Sequence, residues 1–247
     1  MSGHSKWANI KRRKGAQDAQ RGKIFSKLNR EIIVSAKLGG GDPDANPRLR
    51  QAISKARAAN MPTDTIDRAI KKGTGDLDGV NYEEVTYEGY GPAGVAILVE
   101  TLTDNRKRTV SEVRHLFSKY SGNLGEAGCV AWIFQMSSLF VFQKEGVDSD
   151  HLVEVALEHG VEDIREEDGE IEVVATPDKF QMIKDAFDTA EIEYQVAEVT
   201  MIPQNTVSLE GKKAEQALRL VEALEESDDV QRVFANFDIP EDVLESI

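Results

Sequence analysis

Among the 247 residues, few side chains have types and spacings that could do chemistry. Gly89-Tyr90-Gly91-Pro92-Ala93-Gly94 spells G-x-G-x-x-G after a strand-like run. In a dinucleotide site a helix follows, so that its first amides hold the pyrophosphate. Here the next residues, Val95-Ala96-Ile97-Leu98-Val99-Glu100, are β-rich, and glycine with proline suits a tight connection, so the run reads as a turn. No Walker-type G-x-x-x-x-G-K-[ST] occurs. His4, His115, His151 and His159 are scattered, and none pairs with another His or a Cys at metal-ligand spacing. Cys129, beside Val130-Ala131-Trp132, predicts a buried, unreactive thiol; a single cysteine allows no intrachain disulfide and permits a reducing compartment. The carboxylate clusters Glu166-Glu167-Asp168 and Glu225-Glu226-Ser227-Asp228-Asp229 read as solvated turns and helix ends. No catalytic constellation emerges, and the expectation is a protein without enzymatic activity, metal or cofactor.

The cations are different. The chain carries a formal charge of -14, yet residues 1–75 hold 17 Lys+Arg against 6 Asp+Glu, a net +11. Residues 76–135 sum to -4 and residues 136–247 to -21. Beyond a screening length of about 8 Å such regions present separate fields. The densest basic part is Lys6, Lys11, Arg12, Arg13, Lys14, Arg21, Lys23, Lys27 and Arg30, opposed by Asp18 alone and interleaved with Trp7. Cations with an aromatic suit phosphate backbones and stacked bases; a solubilising arm is the other reading. A second basic junction, Thr103-Asp104-Asn105-Arg106-Lys107-Arg108-Thr109, precedes Arg114 and His115. Hydroxyl, amide and guanidinium groups at a helix start can hold a phosphate, or the same residues can be a cap with solvated arginines. The candidate contacts are thus the nine cations above with Trp7, and Asn105, Arg106, Arg108 and Arg114.

The elements that must carry these residues follow from periodicity. Phe25, Leu28, Ile32 and Ala36 predict a helix over 17–38 with Lys23, Lys27 and Arg30 on its opposite face. Asn46-Pro47 starts a second helix and Pro62-Thr63-Asp64 a third, which ends at Lys71-Lys72-Gly73. After the Gly/Asp-rich 73–79 stretch come strands at 85–88 and 95–100, a helix at 109–119, and strands at 130–134 and 139–142. Helix 150–159, strands near 163–165 and 171–175, helix 177–190 and strand 194–202 follow in the order of a split βαβ, ferredoxin-like lobe. A strand at 206–209, a helix at 212–226 and a strand at 230–237 could complete the earlier sheet. The expected fold class is α+β: an N-terminal three-helix domain followed by two α/β domains with mainly antiparallel, ferredoxin-like sheets, the third inserted in the second. The expected domains are 1–75, then 76–135 with 206–247, and an acidic insert over 136–205. The insert's charge reads as solvated repulsion, with docking to a basic protein or mimicry of nucleic acid as the other reading. No run reaches the roughly 20 apolar residues of a membrane helix, and Met1 to Lys14 has no apolar segment behind its charges, so no membrane association and no secretion are expected.

One set of segments runs in order along the chain: Gly3-His4-Ser5-Lys6-Trp7-Ala8, Arg21-Gly22-Lys23-Ile24-Phe25-Ser26-Lys27, Gly39-Gly40-Gly41-Asp42-Pro43 with Asn46-Pro47-Arg48-Leu49-Arg50, and Tyr87-Glu88-Gly89-Tyr90-Gly91-Pro92. Thr103-Asp104-Asn105-Arg106 through Arg114-His115, Gly122-Asn123-Leu124-Gly125, and Leu224-Glu225-Glu226 with Asp228-Asp229-Val230-Gln231 complete the set. Together these segments resemble the YebC family, bacterial probable transcriptional regulators and mitochondrial translational activators, and the resemblance spans the chain. It implies three domains, nucleic-acid binding, no enzymatic activity and a bacterial cytoplasmic address. Its target is either DNA, in transcriptional control, or ribosomal RNA and the ribosome, in translation. Base specificity and oligomeric state are left open.

Overall fold

The computed structural model describes residues 18–167 and 169–239. Three helices come first: α1 (Asp18–Gly39), α2 (Pro47–Ala58) and α3 (Thr63–Thr74). Asn46 is the N-cap of α2, accepting from the Leu49 amide at 3.1 Å, while its own amide donates to the Ser35 and Gly40 carbonyls at 2.8 and 2.9 Å. One residue thus satisfies an orphan donor of α2 and closes the end of α1. Ile32, Leu49, Ala52, Ile53, Ile66 and Ala69 form the shared core. Helices α1 and α3 approach closely at Gly73, where a Cβ would lie 2.4 Å from the Ile33 carbonyl oxygen.

Strands β1 (Glu83–Tyr90) and β2 (Ala96–Thr103) form an antiparallel hairpin, followed by α4 (Arg106–Lys119) and the short β3 (Asn123–Leu124). The glycine-rich 89–94 run closes it: Gly89 and Tyr90 end β1, and residues 91–95 make the turn, with Ala93 and Gly94 at positive φ and the Gly91 amide donating to the Val95 carbonyl at 2.7 Å. Next come β4 (Phe134–Gln143), α5 (Ser149–Glu158), β5 (Asp163–Glu167), β6 (Glu170–Ala175), α6 (Phe180–Thr189) and β7 (Val196–Pro203). These four strands order β5-β6-β4-β7, every pair antiparallel, which is the ferredoxin-like arrangement. Phe140, Phe142, Leu152, Ile183 and Phe187 fill its core.

The chain then returns through β8 (Val207–Ser208), α7 (Gly211–Glu226), β9 (Val230–Ala235) and β10 (Phe237–Asp238). Strand β9 pairs antiparallel with β2, giving the order β3-β1-β2-β9, so the ferredoxin-like unit is inserted into this sheet. Alternation along β2 covers both faces: Ile97 and Val99 pack beneath α4 and α7, Ala96 and Leu98 against Val130, Ile133 and Phe134. The architecture is the mixed α+β class expected.

Two departures from expectation have a direct cause in the hydrogen bonding. Residues 130–133 are not a strand, because the Val130 and Ala131 amides donate to the Glu88 carboxylate, each at 2.8 Å, instead of to a neighbouring strand; β4 begins at Phe134 and runs unbroken to Gln143. The final strand is split at Asn236, whose side chain accepts from the Ala96 amide at 2.7 Å and donates to Asn205.

Candidate nucleic-acid interface

Helix α4 starts at the predicted basic junction, three residues earlier than periodicity suggests, because Asn105 caps it by accepting from the Arg108 amide at 3.1 Å. The three cations then part company. Arg108 turns back to Asp104 and Asp229, 2.7 Å from a carboxylate oxygen of each. Asp229, in the turn between α7 and β9, is almost fully buried. Its Oδ2 also accepts from Thr109 at 2.7 Å and lies 3.3 Å from the Thr103 hydroxyl, while its Oδ1 accepts from Arg30 of α1 at 3.0 Å. Burial acts to raise the Asp229 pKa, but hydrogen bonds from Arg108 and Thr109 and the charges of Arg108 and Arg30 outweigh it and hold the carboxyl below the usual range. The junction is thus partly a carboxylate site, built by the protein for its own aspartate. Asp229, which sequence composition places in a solvated acidic turn, is its buried centre. The signal that could have found it is three donors, Thr103, Arg108 and Thr109, clustered with Asp104 as their only neighbouring carboxylate.

The side chains of Arg106, Lys107 and Arg114 remain exposed and make no hydrogen bond or ion pair with another described residue, although the Arg106 and Lys107 carbonyls accept from the Tyr87 and Ser111 hydroxyls. Lys107, Ser111, Arg114 and Ser118 follow one another at spacings of four, three and four, all exposed, so they share one solvent-facing side of α4.

The α1 cations are placed otherwise. Lys23 and Lys27 donate to the Glu226 and Glu225 carbonyls at 3.3 and 2.7 Å, and Arg30 donates to the Asp228 carbonyl as well as to Asp229. They sit at the C-terminal end of α7, where free carbonyls and the helix dipole favour positive charge. The face expected to meet phosphate therefore docks the helical lobe on the second one. Arg48 of α2 extends the contact, reaching Glu31 at 2.7 Å and Glu84 of β1 at 2.5 Å. Arg30 also lies over the Tyr82 ring, 5.4 Å from its centroid. Lys6, Trp7, Lys11, Arg12, Arg13 and Lys14 lie outside the described residues, as does the Arg21 side chain.

Glu88 organises a second feature that sequence reasoning missed. Its buried carboxylate accepts from the Gly128, Val130 and Ala131 amides at 2.7 to 2.8 Å. Burial opposes ionisation, and these three donors overcome it, lowering the Glu88 pKa. The loop so held presents the Cys129 carbonyl to both the Tyr90 hydroxyl, at 2.9 Å, and the Trp132 indole, at 3.1 Å; Trp132 is 65% exposed. Cys129 itself is half-buried, with its thiol pKa pushed up by burial and by the Glu88 charge. A cleft of about 660 Å³ opens where the lobes meet, lined by both signs of charge, including Arg48, Lys55, Arg232, Glu31, Glu84 and Glu100. Among the described residues no group of three His, Cys, Asp or Glu side chains could hold a metal ion, and no helix is long and apolar enough to cross a membrane.

The three-lobed α+β architecture, with a ferredoxin-like unit inserted behind a capped basic helix, defines the class. Residues 5–76 match the family model described as the TACO1/YebC protein N-terminal domain, and residues 82–237 the one described as the TACO1/YebC second and third domain. The chain belongs to the TACO1/YebC family. It is 58% identical over 247 residues to a protein of Geotalea uraniireducens and 56% identical over 248 residues to one of Syntrophobacter fumaroxidans, covering 100% of each chain in both cases. Both relatives are named "Probable transcriptional regulatory protein". The crystal structure of a conserved hypothetical protein from Aquifex aeolicus is 47% identical and superposes with a TM-score of 0.79, covering 90% of this chain and 92% of that one.

Proposed function

We propose that this chain is a non-enzymatic, nucleic-acid-binding regulator of gene expression that engages phosphates through basic surfaces at its N-terminal end and along α4, with DNA as its target. The observation that carries the reading is the exposed side of α4, where the side chains of Lys107 and Arg114, with Arg106 exposed at the first residue of the helix, have no acceptor among the described residues although Asp104 and Asp229 engage Arg108 beside them. In a chain of net charge -14, cations left unpaired on one helix mark where an anion is received. The names of the full-length relatives support the regulatory role. The acidic bulk orients binding by repelling nucleic acid elsewhere.

The side of α4 shows cations and hydroxyls and no Asn or Gln, so its contacts position the backbone and do not read bases. Replacing Arg106, Lys107 and Arg114 by Ala removes up to three phosphate contacts. The slope of log affinity against log salt becomes shallower by about 2.7 on duplex DNA, or about 2.1 on a single strand. An unchanged slope overturns the α4 assignment. Sedimentation with ribosomes at moderate salt, without binding to duplex DNA, replaces the DNA target by ribosomal RNA.

A further inference from the structure

The helical lobe contains a groove separate from its contact with α7. It has a volume of about 290 Å³ and is lined by Phe25, Ser26 and Asn29 of α1 and by Thr65, Arg68 and Lys72 of α3. Ser26 and Asn29 are three residues apart, and Thr65, Arg68 and Lys72 follow at spacings of three and four, so each helix turns one side into the groove. No carboxylate lines it. Among the described residues, none of the five polar side chains has a hydrogen-bond or ion-pair partner, whereas Lys23, Lys27, Arg30 and Arg48 of the same lobe are all engaged.

This donor set has a definite chemistry. A guanidinium fork, an ammonium group, two hydroxyls and a carboxamide offer positive charge and neutral hydrogen bonds together, which suits an anion with several oxygens. A metal cation finds no charged ligand there. The walls are pre-positioned, because α1 and α3 are locked at Gly73 and share a core through Ile32, Ile66 and Ala69. The larger cleft between the lobes differs in lining its walls with glutamates as well as cations.

We infer that this groove seats a backbone phosphate of the bound nucleic acid, with Arg68 and Lys72 sharing its charge and Ser26, Asn29 and Thr65 fixing its register. The inference rests on the nucleic-acid reading above and supplies it with a contact on the helical lobe. It also restores to that lobe a phosphate-binding role once Lys23, Lys27 and Arg30 are occupied by α7.

The test compares three full-length proteins by fluorescence anisotropy across a salt series, with duplex DNA and single-stranded RNA as probes: the parent chain, Arg68→Ala with Lys72→Ala, and a control carrying Arg57→Ala with Lys71→Ala. The control removes the same charge from exposed positions outside the groove. The groove variant is expected to lose roughly tenfold or more in affinity at 0.1 M salt, with a slope shallower by about 1.8 on duplex DNA or about 1.4 on a single strand. The control should change little. Thr65→Glu, which places an anion in the groove while leaving both cations, should weaken binding in the same way. Equal losses in the groove and control variants, or none in the groove variant, overturn the groove while leaving the nucleic-acid reading intact. A parent chain that binds neither probe removes the reading on which the groove depends.

Discussion

The guanidinium of Arg30 lies 3.0 Å from Oδ1 of Asp229, joining residues 199 positions apart. Through the other carboxylate oxygen, at 2.7 Å, the same aspartate reaches Arg108 and Thr109, so one buried side chain ties α1, the start of α4 and the turn after α7. Asp229→Asn keeps the shape but removes the charge, leaving Arg30 without its counter-ion and Arg108 with Asp104 alone. A loss of about 2–3 kcal/mol is expected, seen as a lower urea midpoint with little change in m-value. A midpoint equal to that of the parent would show that the aspartate does not join the lobes energetically.

Acid should weaken the fold through the same group. The Asp229 and Glu88 carboxyls both titrate lower in the folded chain than usual. Below their unfolded pKa values of about 4, the unfolded chain binds more protons than the folded one. The stability these groups contribute is therefore present above about pH 4 and lost as pH falls through the folded values. Urea midpoints measured from neutral pH downward should fall more gently in Asp229→Asn and in Glu88→Gln than in the parent.

Glu88→Gln has a local effect as well. A carboxamide offers one oxygen where the carboxylate offers two, and its NH2 group would face the Gly128 amide or the Val130 and Ala131 amides. Expected are a loss of about 1–3 kcal/mol and faster hydrogen exchange at these three amides. Protection at the parent level would mean that the loop holds itself.

The same loop predicts a coupled pair. A Cβ at Gly125 would lie 2.5 Å from the Cys129 sulfur, with the next contact at 3.5 Å. Gly125→Ala should cost about 1–3 kcal/mol by overpacking. Most of that should return in the double variant with Cys129→Ala, which removes the sulfur. Additive losses in a double-mutant cycle would place the strain elsewhere.

Lys23 and Lys27 separate docking from phosphate binding. If their place is against the α7 carbonyls, replacing both by Ala should destabilise by roughly 1 kcal/mol and leave the salt dependence of nucleic-acid affinity near that of the parent. A slope shallower by about 1.8 on duplex DNA would return these lysines to the interface.

Local signals in the sequence set out most of the fold. Helical periodicity placed α1 to α3, Asn46 and Pro47 marked the start of α2, and the strand-helix order announced the ferredoxin-like insert, because these features depend on neighbours in the chain. The charge asymmetry was equally visible, being a matter of counting. What each charge touches was not. Lys23, Lys27 and Arg30 form a basic side of a helix by spacing alone, and only the placement of α7's C-terminus shows them paired. Asp229 and Glu88 read as two more acids among 44, because burial of a carboxylate is decided by donors brought from distant segments. The sequence by itself thus determined the helices, the strands and the uneven distribution of charge; the tertiary structure alone decided which charges hold the lobes together and which stay exposed without a partner among the described residues. The physical reason is that secondary structure responds to contacts within a few residues, whereas the partner of a charged group is chosen by whichever chain segment packs against it.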